Sequence, residues 1–300
     1  MSLFDFSSPS GRLGVVGRIR LADWARLKSE FVWAYEGEVE TAFSNSPHHH
    51  PGQSALLILA GGVEVETEAG RVRAEPGQWV FPCAGLRLQR FREGTRLLSV
   101  HFHLYWPGGQ PLFDWPVGFV FAGAVYPALE RETRGLIRLV NREMPGVSKA
   151  LPWMEADANT HFRFQRSFDA WLCVYVETMT KAGVVPSRLS KIDPRVLRAV
   201  TLLDEAPLDG PLDEAQLHAD SGLCASQLNR LFSRQFKLTP HQYFERRRLA
   251  RAQDLIRSAP LAIKQVAYEI GFVSLPSFSR WFRQKAGLSP RAFQKREQGG

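Results

Sequence analysis

Between residues 50 and 105 the apolar positions come in short bursts. "SALLILA", "VEVETE", "RVRAEPGQWVFP", "LRLQRF" and "RLLSVHFHLYW" are set apart by turn residues such as Gly61-Gly62 and Ala69-Gly70. Val63, Val65 and Thr67 alternate with Glu64, Glu66 and Glu68, the two-residue period of a strand with one face in water. Several such strands joined by glycine turns predict a small antiparallel barrel or sandwich. The period then lengthens. Leu129, Leu136, Ile137 and Val140 share one helical stripe in "ALERETRGLIRLVNREM", as do Phe164, Phe168, Leu172, Val176 and Met179 in "HFRFQRSFDAWLCVYVETMT". Two such helices either cover the barrel's flank or meet a second copy of the chain. "KAGVVPSRLSKIDP" is polar, with two prolines and a glycine, and reads as a linker. After Pro194 the pattern is one of short helices: Val196, Val200 and Leu203 share a face, Asp213 opens the next, "RRRLARAQDLIRS" forms a longer one, and Ile263, Val266 and Ile270 precede Gly271. The expected division is a unit at 1–181, a linker at 182–193 and a helical unit at 194–300.

Within the helical unit a phrase occurs twice. "SQLNRLFSRQFKLTP" and "PSFSRWFRQKAGLSP" align at a separation of 50, pairing Leu228 with Phe278, Arg230 with Arg280, Phe232 with Phe282 and Pro240 with Pro290. A repeat of this length marks a duplicated supersecondary unit. Each copy reads as a short helix, a glycine turn and a second helix, the spacing of a helix-turn-helix. Leu228, Leu231 and Phe232 form the buried stripe of the first second-helix; Phe278, Trp281 and Phe282 form that of the other. Ser226, Asn229, Arg230 and Arg234 then point outward, as do Pro276, Ser279, Arg280 and Arg283. The copies differ in two places. His218 stands where the second has Ala267, and Lys237 stands where the second has Gly287, so a residue with a Cβ meets a left-handed turn.

Composition sharpens this reading. The 300 residues, 44% hydrophobic, have room for two cores. No apolar run reaches the roughly 20 residues needed to cross a bilayer. The start, "MSLFDFSSPSGRLG", lacks the basic and apolar regions of a secretory signal. Cys83, Cys173 and Cys224 are odd in number and far apart, which suits reduced thiols in the cytoplasm. The net charge of +8 is unevenly spread: from Lys181 onward twenty Lys and Arg face eleven Asp and Glu, while residues 1–180 are nearly balanced. The basic excess therefore coincides with the repeat, which points to a polyanion partner. Outward Arg, Asn and Ser on a helix suit major-groove base edges and phosphates. Two such helices about 34 Å apart would enter successive grooves on one face of double-stranded DNA, with the basic helix between the copies as their strut.

"SQLNRLFSRQF", "RRRLARAQDLI" and "IKQVAYEIGFVSLPSFSRWFRQKAGLSPRAFQK" make the stretch from about Pro194 to Arg296 resemble the DNA-binding domain of the AraC/XylS family of transcription regulators. The resemblance implies seven helices with two helix-turn-helix motifs. It implies base contacts by Ser226, Asn229 and Arg230 in the first motif, and by Pro276, Ser279 and Arg280 in the second. RNA polymerase is the further partner it implies.

"AEPGQWVFPCAGLR" makes the barrel segment resemble the cupin-type sensor domain of many of these regulators, so the fold class is α+β: a cupin-like antiparallel barrel with two flanking helices, then an all-α unit. Cupin enzymes hold a metal with His-x-His, a carboxylate and a later histidine. His48 and His50 are present here, but Gln53 and Ser54 stand at the acid's place and Arg87 at the later histidine's. No metal, cofactor or catalytic residue is expected. For the strand "RLLSVHFHLYW" two assignments stand open. Either Ser99, His101, His103 and Tyr105 face the interior and bind the hydroxyls of a sugar or similar ligand, or Val100, Phe102 and Leu104 face the core and leave the histidines near the surface. Trp33, Trp79 and Arg87 are further candidates for the pocket wall. The expectation is a transcription regulator controlled by a small-molecule effector, for which a carbohydrate is the candidate, and dimeric through the helices within 128–181. The alternatives are a metal-dependent cupin enzyme with an accessory DNA-binding domain, and a regulator whose N-terminal half only dimerises.

Overall fold

The computed structural model describes residues 20–39, 48–50, 52–107, 109–146, 151–187, 193–258 and 261–298. A short helix, α1 (Leu21–Trp24), leads into β1 (Lys28–Glu38). There follow β2 (His48–His50), β3 (Gln53–Ala60), β4 (Val63–Thr67), β5 (Gly70–Ala74), β6 (Gln78–Pro82), β7 (Gly85–Phe91), β8 (Arg96–Tyr105) and β9 (Gly118–Ala122). They pair antiparallel in two sheets, β1-β8-β3-β6-β9 and β2-β7-β4-β5. Strand β1, which pairs with β8 along almost its whole length, begins well before the run of strands that the pattern predicts. Its signal is the alternation of Phe31, Trp33 and Tyr35, blurred by a register shift between Phe31 and Trp33.

Alternation assigns each strand two faces. Leu56, Ile58, Val63, Val65, Ala74, Val80 and Leu97 meet between the sheets and form one core. Glu64 and Glu66 point to solvent, where Arg71, Arg73 and Arg90 pair with them. The opposite face of the five-stranded sheet carries Ala55, Leu57, Trp79, Phe81, Leu98, Val100, Phe102 and Leu104. The helices α2 (Pro127–Glu143) and α3 (Ala158–Lys181) cover it. In α2 all four positions of the expected stripe are buried. In α3 the buried side chains are Phe168, Trp171, Tyr175, Thr178 and Met179, while Phe164, Leu172 and Val176 lie at the margin. The stripe is rotated because the largest rings take the centre: Trp171 and Tyr175 pack on Phe102 and remove far more apolar area than Leu or Val would. Trp171 also donates to Thr133 Oγ1 at 2.8 Å, tying α3 to α2.

Among the described residues the C-terminal part forms seven helices: α4 (Pro194–Glu205), α5 (Glu214–Ser221), α6 (Ala225–Phe236), α7 (Pro240–Ser258), α8 (Ile263–Glu269), α9 (Leu275–Ala286) and α10 (Pro290–Gln298). The repeated phrase is a repeated stop and start. Helices α6 and α9 end on left-handed residues, Lys237 (φ 59°) and Gly287 (φ 76°). Thr239 and Ser289 then cap the next helices through Gln242 N and Ala292 N, and Pro240 and Pro290 occupy the first turn. Two apolar clusters result. One joins α4, α5 and α6 to Tyr243 and Phe244 at the start of α7. The other joins Ala252, Leu255 and Ile256, later in α7, to α8, α9 and Phe293. Helix α7 is thus the strut between the copies.

Candidate functional site: a nucleic-acid interface and a polar sensor interior

Each second helix is anchored by two fully buried side chains one turn apart, Leu228 and Phe232 in α6, Phe278 and Phe282 in α9. That anchoring leaves Ser226, Asn229, Arg230 and Arg234 exposed on one helix, and Pro276, Arg280 and Arg283 exposed on the other, with Ser279 half-buried. Leu231 and Trp281 sit at the margin, with Trp281 Nε1 donating to Glu245 Oε2 at 2.6 Å. No carboxylate among the described residues pairs with Arg230, Arg234, Arg280 or Arg283, so their charges remain available. Ser279, Arg280 and Arg283, together with Gln284 and Ser289, line a shallow depression of about 470 Å³. Gln284 was legible as the residue one turn beyond Arg280; Ser289 takes its place from the cap of α10.

The turns explain the glycines. Gly222 adopts φ 67° between α5 and α6, and Gly271 adopts φ 78° between α8 and α9. A Cβ on Gly271 would lie 1.7 Å from the carbonyl oxygen of Asp209, so the loop after α4 packs directly on the second turn. Arg248 fastens the same junction. Its guanidinium donates to the carbonyls of Leu208 (3.3 Å) and Ile270 (2.6 Å), and stacks over Phe272 and Trp281. Arg247 donates to the carbonyls of Leu203 and Asp204. These two arginines of the basic helix hold the block together; they are not presented with the outward set. Lys237 adopts the left-handed turn that its position requires. His218 sits half-buried in the last turn of α5, its Nδ1 without a partner among the described residues.

In the N-terminal half one face of β8 is buried and the other is buried at Leu97 and Ser99 and half-buried at His101, His103 and Tyr105. Val100, Phe102 and Leu104 lie under α2 and α3, whereas Ser99, His101, His103 and Tyr105 face the space between the sheets. There Arg87, on β7, crosses to β3: Nη1 donates to the carbonyl of Cys83 and Nη2 to Ser54 Oγ at 3.2 Å. His101 bonds Ser54 Oγ through Nδ1 at 3.1 Å and Ser99 Oγ through Nε2 at 2.8 Å, and Trp33 stacks on its ring at 5.9 Å. Desolvation, aided by the Arg87 charge, draws the His101 pKa down to about 4. Burial likewise lowers His103 and pushes Tyr105 up to about 12. Trp79 does not join this group. It lies on the other face of the sheet, stacked on Phe81, because its strand position pairs with Leu57 rather than with the inward Leu56. Arg87 at the centre of this interior has no lone pair for a metal ion and repels one by its charge. Among the described residues no three His, Cys, Asp or Glu side chains converge on a point; the side chain of His48 lies outside them.

Polar contacts connect the halves. Lys28 Nζ meets Asp204 Oδ2 at 2.7 Å, and Tyr243 donates to the other carboxylate oxygen at 2.7 Å. Arg246 packs against Gly109. Trp106 Nε1 donates to the carbonyl of Ser187 at 2.9 Å, and Ser187 N to that of Leu112 at 2.6 Å, so the first part of the expected linker is fastened to the sheet unit.

Two duplicated helix-turn-helix units on one α-helical block, joined to a β-rich unit with a polar interior, define a two-domain DNA-binding regulator. A helix-turn-helix domain model matches residues 218–296. LumQ of Photobacterium leiognathi, described as a probable transcriptional regulator, is 40% identical over 251 residues, which is 84% of this chain and 92% of LumQ. GbdR of Pseudomonas aeruginosa, an HTH-type transcriptional regulator, is 36% identical over 95 residues; the match spans 32% of this chain but only 26% of GbdR. Apo ToxT of Vibrio cholerae shares the two-domain fold at 10% identity, with a TM-score of 0.52 over 88% of this chain and 96% of that one. The chain belongs to the AraC/XylS family of DNA-binding transcription regulators.

Proposed function

We propose that this protein recognises a specific operator with α6 and α9 in adjacent major grooves, under the control of a small molecule held between the sheets. The observation that carries the proposal is the pair of outward arginine sets, unpaired among the described residues, on helices anchored to one block. Ser226, Asn229 and Arg230 read bases in the first motif, and Pro276, Ser279 and Arg280 in the second; Pro276 offers no donor and contributes only shape. Arg234 and Arg283 serve the flanking phosphates. The sensor unit at 1–181 passes its state through 182–193 to the reader at 194–300, which contacts RNA polymerase. In support, Tyr105 lies near both Arg87 and Arg246, so the interior and α7 are electrostatic neighbours. A fold neighbour, wild-type ToxT, has been solved with an unsaturated fatty acid bound. The protein acts in the cytoplasm as a homodimer; no helix among the described residues is long and apolar enough to cross a membrane. The dimer uses the outer side of α3, where Phe162 is exposed and Leu172 and Val176 are half-buried.

Footprinting followed by gel-shift titration tests the reading. Arg230→Ala and Arg280→Ala each weaken operator binding by ~1–3 kcal/mol and relax base preference at separate positions of the site. Full affinity in both variants would refute this placement of the readers.

A further inference from the structure

One charge inside the sheet unit has no counterion among the described residues. Arg87 is 1% exposed, and its Nε–H, buried, reaches no acceptor among the described residues. Its two hydrogen bonds go to neutral oxygens, of Cys83 and Ser54. No carboxylate among the described residues pairs with it, whereas on the outer face Arg71, Arg73 and Arg90 pair with Glu64 or Glu66, and Arg92 with Glu75. Burial lowers its pKa to about 10, which still leaves it protonated at neutral pH. A buried ion without a partner is a poor way to stabilise a fold, and hydroxyls offset little of its desolvation.

The surroundings narrow what would complete it. His101 and His103 are held neutral by burial, and Tyr105 keeps its proton. Glu30, opposite His103 on β1, is exposed to water, so among the described groups at the buried end Arg87 carries the single charge, which one negative charge balances. A phosphate dianion would leave a surplus buried charge of the opposite sign. A carboxylate has the matching charge and the planar pair of oxygens that a guanidinium edge grips. Ser54 puts a hydroxyl beside it, His101 links Ser54 to Ser99, and Trp33 stacks on the His101 ring. We infer that Arg87 anchors the carboxylate of a small organic monocarboxylic acid, and that this acid, rather than a neutral sugar, is the effector. The inference rests on the sensor reading above and specifies its chemistry.

Thermal denaturation of the full chain tests it, with acetate, lactate, benzoate and octanoate each compared with its primary amide at matched ionic strength, beside glucose and xylose. A ligand that prefers the folded state raises the midpoint. At least one acid stabilises the protein, its amide binds more than about thirtyfold more weakly, and Arg87→Gln, melting cooperatively, loses the effect. Arg87→Lys, which keeps the charge without the fork, retains part of it. Equal stabilisation by acid and amide overturns the inference, as does an acid effect that survives in Arg87→Gln. Should Arg87→Gln fail to fold, the acid–amide difference in the wild type decides alone. A response to sugars without any response to acids removes the carboxylate and leaves the sensor reading standing; silence from every probe removes both.

Discussion

Lys237 shows how far a single position can be read. Alignment of the two copies sets a lysine against Gly287 where a helix must end left-handed, and the backbone complies at φ 59° in spite of the Cβ. Buried titratable groups lie beyond such reading, because their behaviour depends on what encloses them. His101 is a base whose protonated form the folded protein disfavours. Above pH 6.5 both folded and unfolded chains leave it neutral. Below that, the unfolded chain takes up a proton that the folded one refuses until about pH 4, so stability falls across this window. The slope is about 1.4 kcal/mol per pH unit at most, and His103, shifted the same way, adds to it. Urea midpoints are accordingly lower at about pH 5 than at about pH 7, and His101→Gln narrows the gap. An unchanged gap would mean that solvent reaches the ring freely.

Among elements, the helices reproduce their sequence signals closely, since most carry their own stripe and several their own cap. Asp213 caps α5 through Gln216 N at 2.9 Å, and Ser274 caps α9 through Ser277 N at 3.4 Å. The apolar side of α3 is displaced by the competition of large rings for one core, which no single-helix pattern contains. Helix α7 is the most informative case. Its arginine run reads as a basic surface, yet Arg247 and Arg248 turn inward to bind carbonyls of α4, of the loop after it and of Ile270. Arg248→Ala therefore costs about 2–3 kcal/mol in urea unfolding and weakens operator binding, although it is not among the outward arginines. Arg248→Lys rescues neither fully, lacking the planar fork and the stacking surface. A variant with wild-type stability would show that α7 does not join the copies in this way.

At the scale of the molecule, the apolar cores stop at the boundary between the halves. The clusters around the sheets draw only on residues before 193, and the two helical clusters only on residues after it. What crosses is polar: the Lys28–Asp204 pair, with Lys28 two-thirds exposed, contributes about 1 kcal/mol or less. Residues 193–300 expressed alone consequently melt as a cooperative unit and still bind operator DNA, as circular dichroism and gel shifts will record. A fragment that is molten or inert would mean that the sheet unit completes the reader.

The double helix-turn-helix was legible from residues alone because it is local: repeats, caps, glycine turns and stripes act within a few turns of chain. Strand alternation near Val63 was legible for the same reason. Which face of β8 meets the helices and which meets Arg87 was settled only by tertiary structure. A strand's two faces are equivalent until other sheets and helices close over them, and an arginine's charge becomes exceptional only once its surroundings remove both water and acids.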